Sequence, residues 1–149
     1  MKEMTGKIER ITFDEILMTC HHLAHMLPAG SCLWGIPRGG TLVALLMNYI
    51  SPEREFSINL DRMPYVDDIV IDDVLETGQQ LSRYSMHHTC AVLYCRSNYL
   101  SPALGGVKHA TTIEHANYLL MPWETEHEAK VWQKKQATDA EADALHPFE

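Results

Sequence analysis

The sequence lacks a long apolar run. Its 149 residues contain no stretch that approaches the roughly 20 consecutive apolar residues needed to cross a membrane. The opening residues, MKEMTGKIER, also lack the apolar core of a secretory signal peptide. We therefore expect a protein of the cytoplasm that has no membrane partner.

Basic residues are scarce. Twelve Lys and Arg stand against 20 Asp and Glu, so the net charge is -8, and the basic residues do not cluster. Proteins that bind nucleic acid through its phosphates need a basic surface. We therefore expect no nucleic-acid partner, although a small anion could still bind locally.

Cysteines at metal-binding spacing are also missing. The sequence has no C-x-x-C pair, and its four cysteines lie in segments predicted to be helix or strand interiors, which indicates reduced, space-filling thiols: Cys20, Cys32, Cys90 and Cys95. Histidines form the doublets His21-His22 and His87-His88. Neighbours on a helix point in different directions, and neither doublet has a Cys or Asp at ligand spacing, so the sequence does not predict a zinc site.

The composition is that of one globular domain. Hydrophobic residues make up 46% of the chain and charged residues 21%, which excludes the low hydrophobicity and high charge of a disordered protein. A chain of 149 residues is long enough to bury a core of its own. We predict one domain over residues 1–124, followed by a polar helix or tail over residues 125–149.

Helices and strands are predicted to alternate along the chain. Apolar residues recur at helical spacing, which predicts helices over residues 13–28, 41–50 and 77–88. Short β-prone runs predict strands over residues 31–36, 56–60, 68–73, 89–95 and 117–121, and residues 96–116 are predicted to be loop. Because these strands are apolar on both faces, we predict an α/β fold with a mostly parallel sheet flanked by helices.

Two carboxylates follow the apolar strand of "IVIDDVLETGQQL" (residues 69–81). A strand over Ile69–Ile71 would place Asp72 and Asp73 at its carboxyl end, where α/β sheets bind their ligands. Such a pair can accept hydrogen bonds from vicinal sugar hydroxyls and bind Mg²⁺. The turn after it leads into a predicted helix whose first N–H groups favour a phosphate. The pattern therefore predicts a site for sugar, metal and phosphate.

This combination resembles the signature of the type I phosphoribosyltransferases, which bind phosphoribosyl pyrophosphate. The matching residues are Asp72, Asp73, Val74, Leu75, Glu76, Thr77 and Gly78. "GIPRGG" (residues 35–40) is similar to the pyrophosphate loop of that family. The resemblance implies that phosphoribosyl pyrophosphate contacts Arg38, Gly39, Gly40, Asp72, Asp73, Glu76, Thr77, Gly78, Gln79 and Gln80, and that Mg²⁺ binds to Asp72 and Asp73.

Most of residues 12–124 resemble, more narrowly, the bacterial xanthine-guanine phosphoribosyltransferases. The resemblance implies that Arg96 contacts the exocyclic oxygen of the base, that Tyr118 stacks on its ring and that Leu119 offers backbone contacts. It further implies that Glu124 lies near a second Mg²⁺, that Arg38 stabilises the leaving pyrophosphate and that Glu76 relays the base proton. The implied reaction joins a nucleobase, with a 6-oxopurine favoured, to phosphoribosyl pyrophosphate in nucleotide salvage, and the implied assembly is a homo-dimer or homo-tetramer.

Three departures from the family pattern leave alternatives open. The usual Thr-Gly-Gly-Thr loop is replaced by Thr77-Gly78-Gln79-Gln80, and Glu76 is longer than the usual aspartate. The family's long mobile loop is reduced to residues 61–67. The alternatives are a non-catalytic regulator that binds phosphoribosyl pyrophosphate or a nucleotide, and a transferase for a pyrimidine or an unusual base. Tyr118 could equally be a core aromatic, and Arg38 a surface ion-pair partner.

Overall fold

The computed structural model describes residues 8–75, 79–96, 107–113, 118–131 and 134–135, without the side chains of Gln79 and Arg96. The chain forms two compact units, one made of Met1–Phe13 with Glu114–Glu149 and the other of Asp14–Ile113. The domain boundary predicted at residue 124 stays a prediction.

The elements alternate between strand and helix for most of the chain. In chain order they are β1 (Ile8–Arg10), α1 (Phe13–Ala24), β2 (Cys32–Gly35), α2 (Gly39–Ile50), a 3-10 turn (Pro52–Arg54), β3 (Ser57–Asn59), β4 (Ile69–Leu75), α3 (Gln79–Ser82), β5 (Cys90–Arg96), β6 (Lys108–Ile113) and β7 (Tyr118–Leu120). Residues 126–131 are also helical. Within the described ranges, no helix is both long enough and apolar enough to span a membrane.

A five-stranded parallel sheet forms the centre of the larger unit. Its strand order is β3-β2-β4-β5-β6, and each neighbouring pair runs parallel. Helix α2 packs on β2, β3 and β4. Trp34 and Val70 pack with Leu81 of α3, whereas Leu33 and Ile71 are fully buried and point to the opposite face of the sheet. The predicted α/β fold, a mostly parallel sheet flanked by helices, is confirmed.

Three predicted elements differ from the structure. Strand β4 continues to Leu75, so the two aspartates lie inside the strand and not after it. Strand β6 occupies part of the predicted loop, because an edge strand without a buried residue carries little apolar pattern. The helix predicted over residues 77–88 is reduced to α3, because the chain then turns through mixed i+3 and i+4 hydrogen bonds that bring the His88 ring onto the Asp68 carbonyl.

The smaller unit contains a two-stranded parallel sheet. Strand β1, which the sequence pattern does not predict, pairs with β7 in the register Ile8↔Tyr118. Tyr118 and Leu120 pack with Ala129 of the helix over residues 126–131. Arg10 forms an exposed ion pair with Glu126. The strand predicted over residues 117–121 therefore exists but belongs to this second sheet.

Two buried polar side chains fix the connection between β3 and β4. Asp68 is only 4% exposed, and its carboxylate accepts hydrogen bonds from Asn59 Nδ2 at 2.7 Å and from the Tyr65 N–H at 2.8 Å. Asn59 also accepts the Asp61 N–H at 2.8 Å, and the Asp61 carbonyl accepts the Trp34 indole N–H at 2.9 Å. The segment between β3 and β4 is thus hydrogen-bonded at both of its ends, through Asn59 and Asp68, and to the buried Trp34.

Asp68→Ala is expected to lower the free energy of unfolding by on the order of 3 kcal/mol, because two hydrogen bonds to a buried carboxylate are lost and the Asn59 amide stays buried. Urea denaturation measures the effect. Asp67→Ala is the matched control, since its side chain is exposed and surface substitutions usually change stability by less than about 0.5 kcal/mol. Equal losses in both variants would contradict the assignment of Asp68 as the anchor.

Candidate functional site

A tight turn joins β2 to α2 at the carboxyl edge of the main sheet. The Ile36 N–H donates to the Ile71 carbonyl of β4 at 2.8 Å, and the Thr41 hydroxyl donates to the Gly35 carbonyl at 3.1 Å. Pro37 and Arg38 are exposed at the tip, and the peptide bond between them is cis. The turn is therefore held against two strands while its tip faces solvent.

Glycine allows three backbone segments to meet at this turn. A Cβ atom on Gly40 would lie 2.2 Å from the Ile71 carbonyl oxygen, and one on Gly35 would lie 2.2 Å from the Gly40 carbonyl oxygen. A Cβ atom on Gly39 would lie 2.3 Å from Asp73 Oδ2. A side chain on Gly35 or Gly40 would meet backbone atoms, and one on Gly39 would meet the end of the Asp73 side chain. The first turn of α2 therefore packs directly on β4 and on the second aspartate.

The two aspartates of β4 point in different directions. Successive strand residues face opposite sides of a sheet, and Asp73 faces the first residue of α2 while Asp72 is only 8% exposed. Each carboxylate accepts a hydrogen bond from the backbone N–H of the residue that follows it. Asp72 Oδ1 accepts the Asp73 N–H at 2.9 Å, and Asp73 Oδ1 accepts the Val74 N–H at 2.8 Å. Both Oδ1 atoms are thereby oriented by the backbone.

Asp73 lies at the positive end of α2. The first N–H groups of a helix have no partner within the helix, and the helix dipole favours a negative charge there. Gly39 begins α2, and the N-cap residue Arg38 makes no side-chain capping hydrogen bond. The Asp73 carboxylate therefore complements the helix end, and the same N–H groups can receive phosphate oxygens.

The thiol nearest to this site is not a nucleophile. Burial, together with the smaller effect of the charge of Asp72, raises the pKa of Cys90 to about 11. Burial alone raises the pKa of Cys20 to about 12. All four cysteines are free thiols, as the sequence predicts. Among the described residues, the site offers carboxylates, backbone N–H groups and Arg38.

Several predicted site residues lie at the edge of the described structure. Glu76, Thr77 and Gly78 fall outside the described residues. Gln79 and Gln80 begin α3, and Gln80 is exposed. Arg96 is the last residue of β5, and its side chain is outside the described part. Their predicted roles stay predictions.

The predicted base-binding residues Tyr118 and Leu119 belong to the smaller unit, together with Glu124. Tyr118 is only 8% exposed and packs with Leu120 and Ala129. Its hydroxyl donates to Glu124 Oε2, while Glu124 Oε1 accepts the Met121 N–H at 3.2 Å. Leu119 is buried in β7. Tyr118 and Glu124 are thus hydrogen-bonded to each other, and their proposed contacts with a base and a second metal stay predictions.

The structure brings the turn Arg38–Gly40, which follows β2, next to Asp72 and Asp73 of β4. The Ile71 carbonyl and Gly35 complete this contact, and the sequence interpretation assigned neither of them a role. A glycine that ends a strand immediately before a glycine-rich turn is the signal that could have identified Gly35, because it marks close backbone approach.

Comparison with known proteins places the chain in one structural class. No family model matches the sequence, and no curated protein matches it. Its fold is nevertheless that of the type I phosphoribosyltransferases, shared with solved structures at 16% sequence identity or less. The predicted likeness to this family is confirmed at the level of the fold.

Three of these structures are similar over most of the chain. The purine phosphoribosyltransferase from Pyrococcus horikoshii OT3 is 16% identical with a TM-score of 0.58, covering 79% of this chain and 95% of its own. A hypothetical protein from Neisseria gonorrhoeae with bound ppGpp is 15% identical with a TM-score of 0.59, covering 87% and 97%. The xanthine-guanine-hypoxanthine phosphoribosyltransferase from Helicobacter pylori is 13% identical with a TM-score of 0.57, covering 81% and 96%.

Gly39→Ala and Gly40→Ala are expected to have different effects on the free energy of unfolding. The new methyl group of Gly39→Ala meets the end of the Asp73 side chain, which can rotate away at a cost of about 1 kcal/mol. The methyl group of Gly40→Ala meets the Ile71 backbone, so we expect a loss of about 2 kcal/mol or more. Urea denaturation compares them, and equal losses would contradict the close contact between α2 and β4.

Proposed function

We propose that this protein is a phosphoribosyltransferase that joins a nucleobase to phosphoribosyl pyrophosphate and releases pyrophosphate. A 6-oxopurine is the favoured base, and nucleotide salvage the proposed role. The observation that carries the proposal is the contact of Asp73 with the first turn of α2. It supports a site in which carboxylates for a ribose lie beside N–H groups for a phosphate.

The leaving group is proposed to bind at the turn between β2 and α2. Arg38 is exposed at its tip, and the first N–H groups of α2 follow it. Pyrophosphate gains negative charge as its bond to ribose breaks, and a guanidinium together with oriented N–H groups stabilises that charge. Arg38 is therefore assigned to stabilise the leaving pyrophosphate, with Gly39 and Gly40 as backbone donors.

The acidic pair is proposed to position the ribose. The backbone orients one oxygen of each carboxylate, at Asp72 and at Asp73. Carboxylates in fixed positions accept hydrogen bonds from vicinal hydroxyls and hold the ribose in place while its bond to pyrophosphate breaks. Gln79 and Gln80 would donate amide hydrogen bonds to the 5-phosphate, beside Thr77 and Gly78.

Mg²⁺ fits the donor set of this site. The ion prefers oxygen ligands and usually takes one or two carboxylates plus phosphate oxygens. Asp73 offers a carboxylate beside the start of α2, where the phosphate oxygens are proposed to bind, and Asp72, which faces the other side of β4, is proposed as the second ligand. When bound it would neutralise charge on the leaving pyrophosphate. Glu124 is proposed near a second Mg²⁺.

The base is proposed to bind through residues that the family resemblance supplies. Arg96 would contact the exocyclic oxygen, Leu119 would offer its backbone, and Glu76 would relay the base proton as the ring nitrogen attacks. Tyr118 would stack on the ring, although its buried position and its hydrogen bond to Glu124 favour the packing alternative. We further propose a homo-oligomer in the cytoplasm.

A second candidate function is a regulator that binds phosphoribosyl pyrophosphate or a nucleotide without turnover. The observation that favours it is the connection between β3 and β4, which is short and tied down by Asn59 and Asp68. Phosphoribosyl transfer needs water excluded from the reacting centre, which mobile lids commonly achieve. The Neisseria neighbour has ppGpp bound, so a nucleotide is a reasonable ligand for this fold.

The double variant Asp72→Asn, Asp73→Asn is expected to abolish Mg²⁺-dependent binding of phosphoribosyl pyrophosphate, because amides keep the shape but lose the charge that binds a hard cation. Isothermal titration calorimetry with and without Mg²⁺ measures the effect. Asp67→Asn is the matched control, since it removes an exposed charge from the same unit. A folded double variant that binds like the wild type would exclude this pair from the site.

Glu76→Gln separates transferase from regulator. If Glu76 relays the base proton, the variant should bind phosphoribosyl pyrophosphate within a few-fold of wild type while turnover falls by on the order of 100-fold. Nucleotide formation is followed by chromatography with guanine, xanthine, hypoxanthine, adenine, uracil and orotate, and Glu55→Gln serves as the exposed control. A wild-type protein that binds the ligand but forms no nucleotide with any base would favour the regulator.

A further inference from the structure

Two histidines and a glutamate meet on the surface of the larger unit, away from the residues of the candidate functional site. One ring nitrogen each of His21 and His25 and one carboxylate oxygen of Glu53 all lie within 4.8 Å of one another. His25 Nε2 is 3.3 Å from Glu53 Oε1, and the two imidazole centroids are 4.3 Å apart. All three residues are exposed.

Two anchored segments supply these side chains. His21 and His25 are four residues apart at the end of α1, and the His25 N–H donates to the His21 carbonyl at 3.3 Å, so both rings share one helix face. Glu53 lies in the 3-10 turn Pro52–Arg54. That turn is tied to the segment after α1, because Arg54 donates to the Leu27 carbonyl at 2.6 Å and the Gly30 N–H donates to the Arg54 carbonyl at 2.7 Å.

Hydrogen bonds orient both imidazole rings. His25 Nδ1 lies 2.9 Å from the His21 carbonyl oxygen, and a carbonyl oxygen only accepts, so Nδ1 carries the hydrogen and Nε2 faces Glu53. His21 Nδ1 lies 3.0 Å from the hydroxyl of Ser51, which is fully buried. Metal-binding histidines commonly use one ring nitrogen for such an outer contact and the other for the ion.

We propose that His21, His25 and Glu53 bind a divalent transition-metal ion, with Zn²⁺ as the best match. Two imidazoles and one carboxylate are a common zinc ligand set, which leaves a fourth position for water. Bonds of about 2.0–2.1 Å at tetrahedral angles place ligand atoms about 3.3 Å apart. His25 Nε2 and Glu53 Oε1 already have this separation, and exposed side chains can close the remaining distances.

A surface ion pair is the competing explanation. Protonated His25 and Glu53 could attract each other without any metal, and such exposed pairs contribute little to stability. That explanation leaves His21 with its contact to Ser51 alone, whereas the metal site needs it as a ligand, so His21→Ala separates the two. The bound ion would cross-link the end of α1 to the turn that follows α2.

The test is a zinc titration by isothermal titration calorimetry on protein freed of metal with a chelator. The wild type should bind one Zn²⁺ per chain, and His21→Ala, His25→Ala and Glu53→Gln should each weaken binding at least about tenfold. His22→Ala and Glu55→Gln are the matched controls, because they are exposed neighbours outside the cluster. Both should bind Zn²⁺ within twofold of the wild type.

Two further readouts complete the test. The absorption spectrum of the Co²⁺ protein should lack thiolate charge-transfer bands, since no cysteine belongs to the site. Zn²⁺ should raise the thermal midpoint of the wild type but not that of His25→Ala. Absence of zinc binding, thiolate bands, equal losses in the controls, or unchanged binding in His21→Ala would each overturn the proposal. The binding of phosphoribosyl pyrophosphate tests different residues, so the two results remain distinguishable.

Discussion

The candidate functional site depends on one backbone contact, the packing of the first turn of α2 directly on β4. Gly40 lies so close to the Ile71 carbonyl that no Cβ atom fits, and Ile36 donates its N–H to the same carbonyl. This contact places the N–H groups of the helix start beside Asp73. A side chain on Gly40 would hold the helix away from the strand, and the Asp73 carboxylate would no longer lie next to the start of α2.

The main features of the fold, and the residues that meet at the candidate site, could be predicted because they have local signals. Apolar strands alternating with helices predict a parallel sheet, and the two acidic residues and the glycine turn each stand out over a few positions. The rest depends on tertiary pairing. Strand β6 has no buried residue and carries little apolar pattern, and β1 is only three residues long and pairs with β7. The two members of a histidine doublet point in different directions on a helix, whereas His21 and His25 share one face. Nothing in the local sequence links either of them to Glu53.

The connection between β3 and β4 is where the two candidate functions differ. Asn59 and Asp68 are both buried and hydrogen-bonded to each other, and the segment between them is also bonded to Trp34. Opening such a segment would break these hydrogen bonds, each at a net cost of about 1 kcal/mol, which disfavours a lid movement there. Under the proposed transferase function, the exclusion of water would have to come from another part of the protein.

Helix α2 connects the two sites argued for this protein. Its 12 residues run from Gly39 to Ile50, a length of about 18 Å. The amino-terminal turn faces Asp73, and the carboxyl-terminal end leads directly into Ser51 and Glu53. A helix moves largely as a rigid body, so an ion that fixes Glu53 to α1 would also restrain the far end of α2. Because Gly39 and Gly40 pack closely on β4, the amino-terminal end of α2 can move little. An ion bound at Glu53 would restrain the carboxyl-terminal end of the same helix.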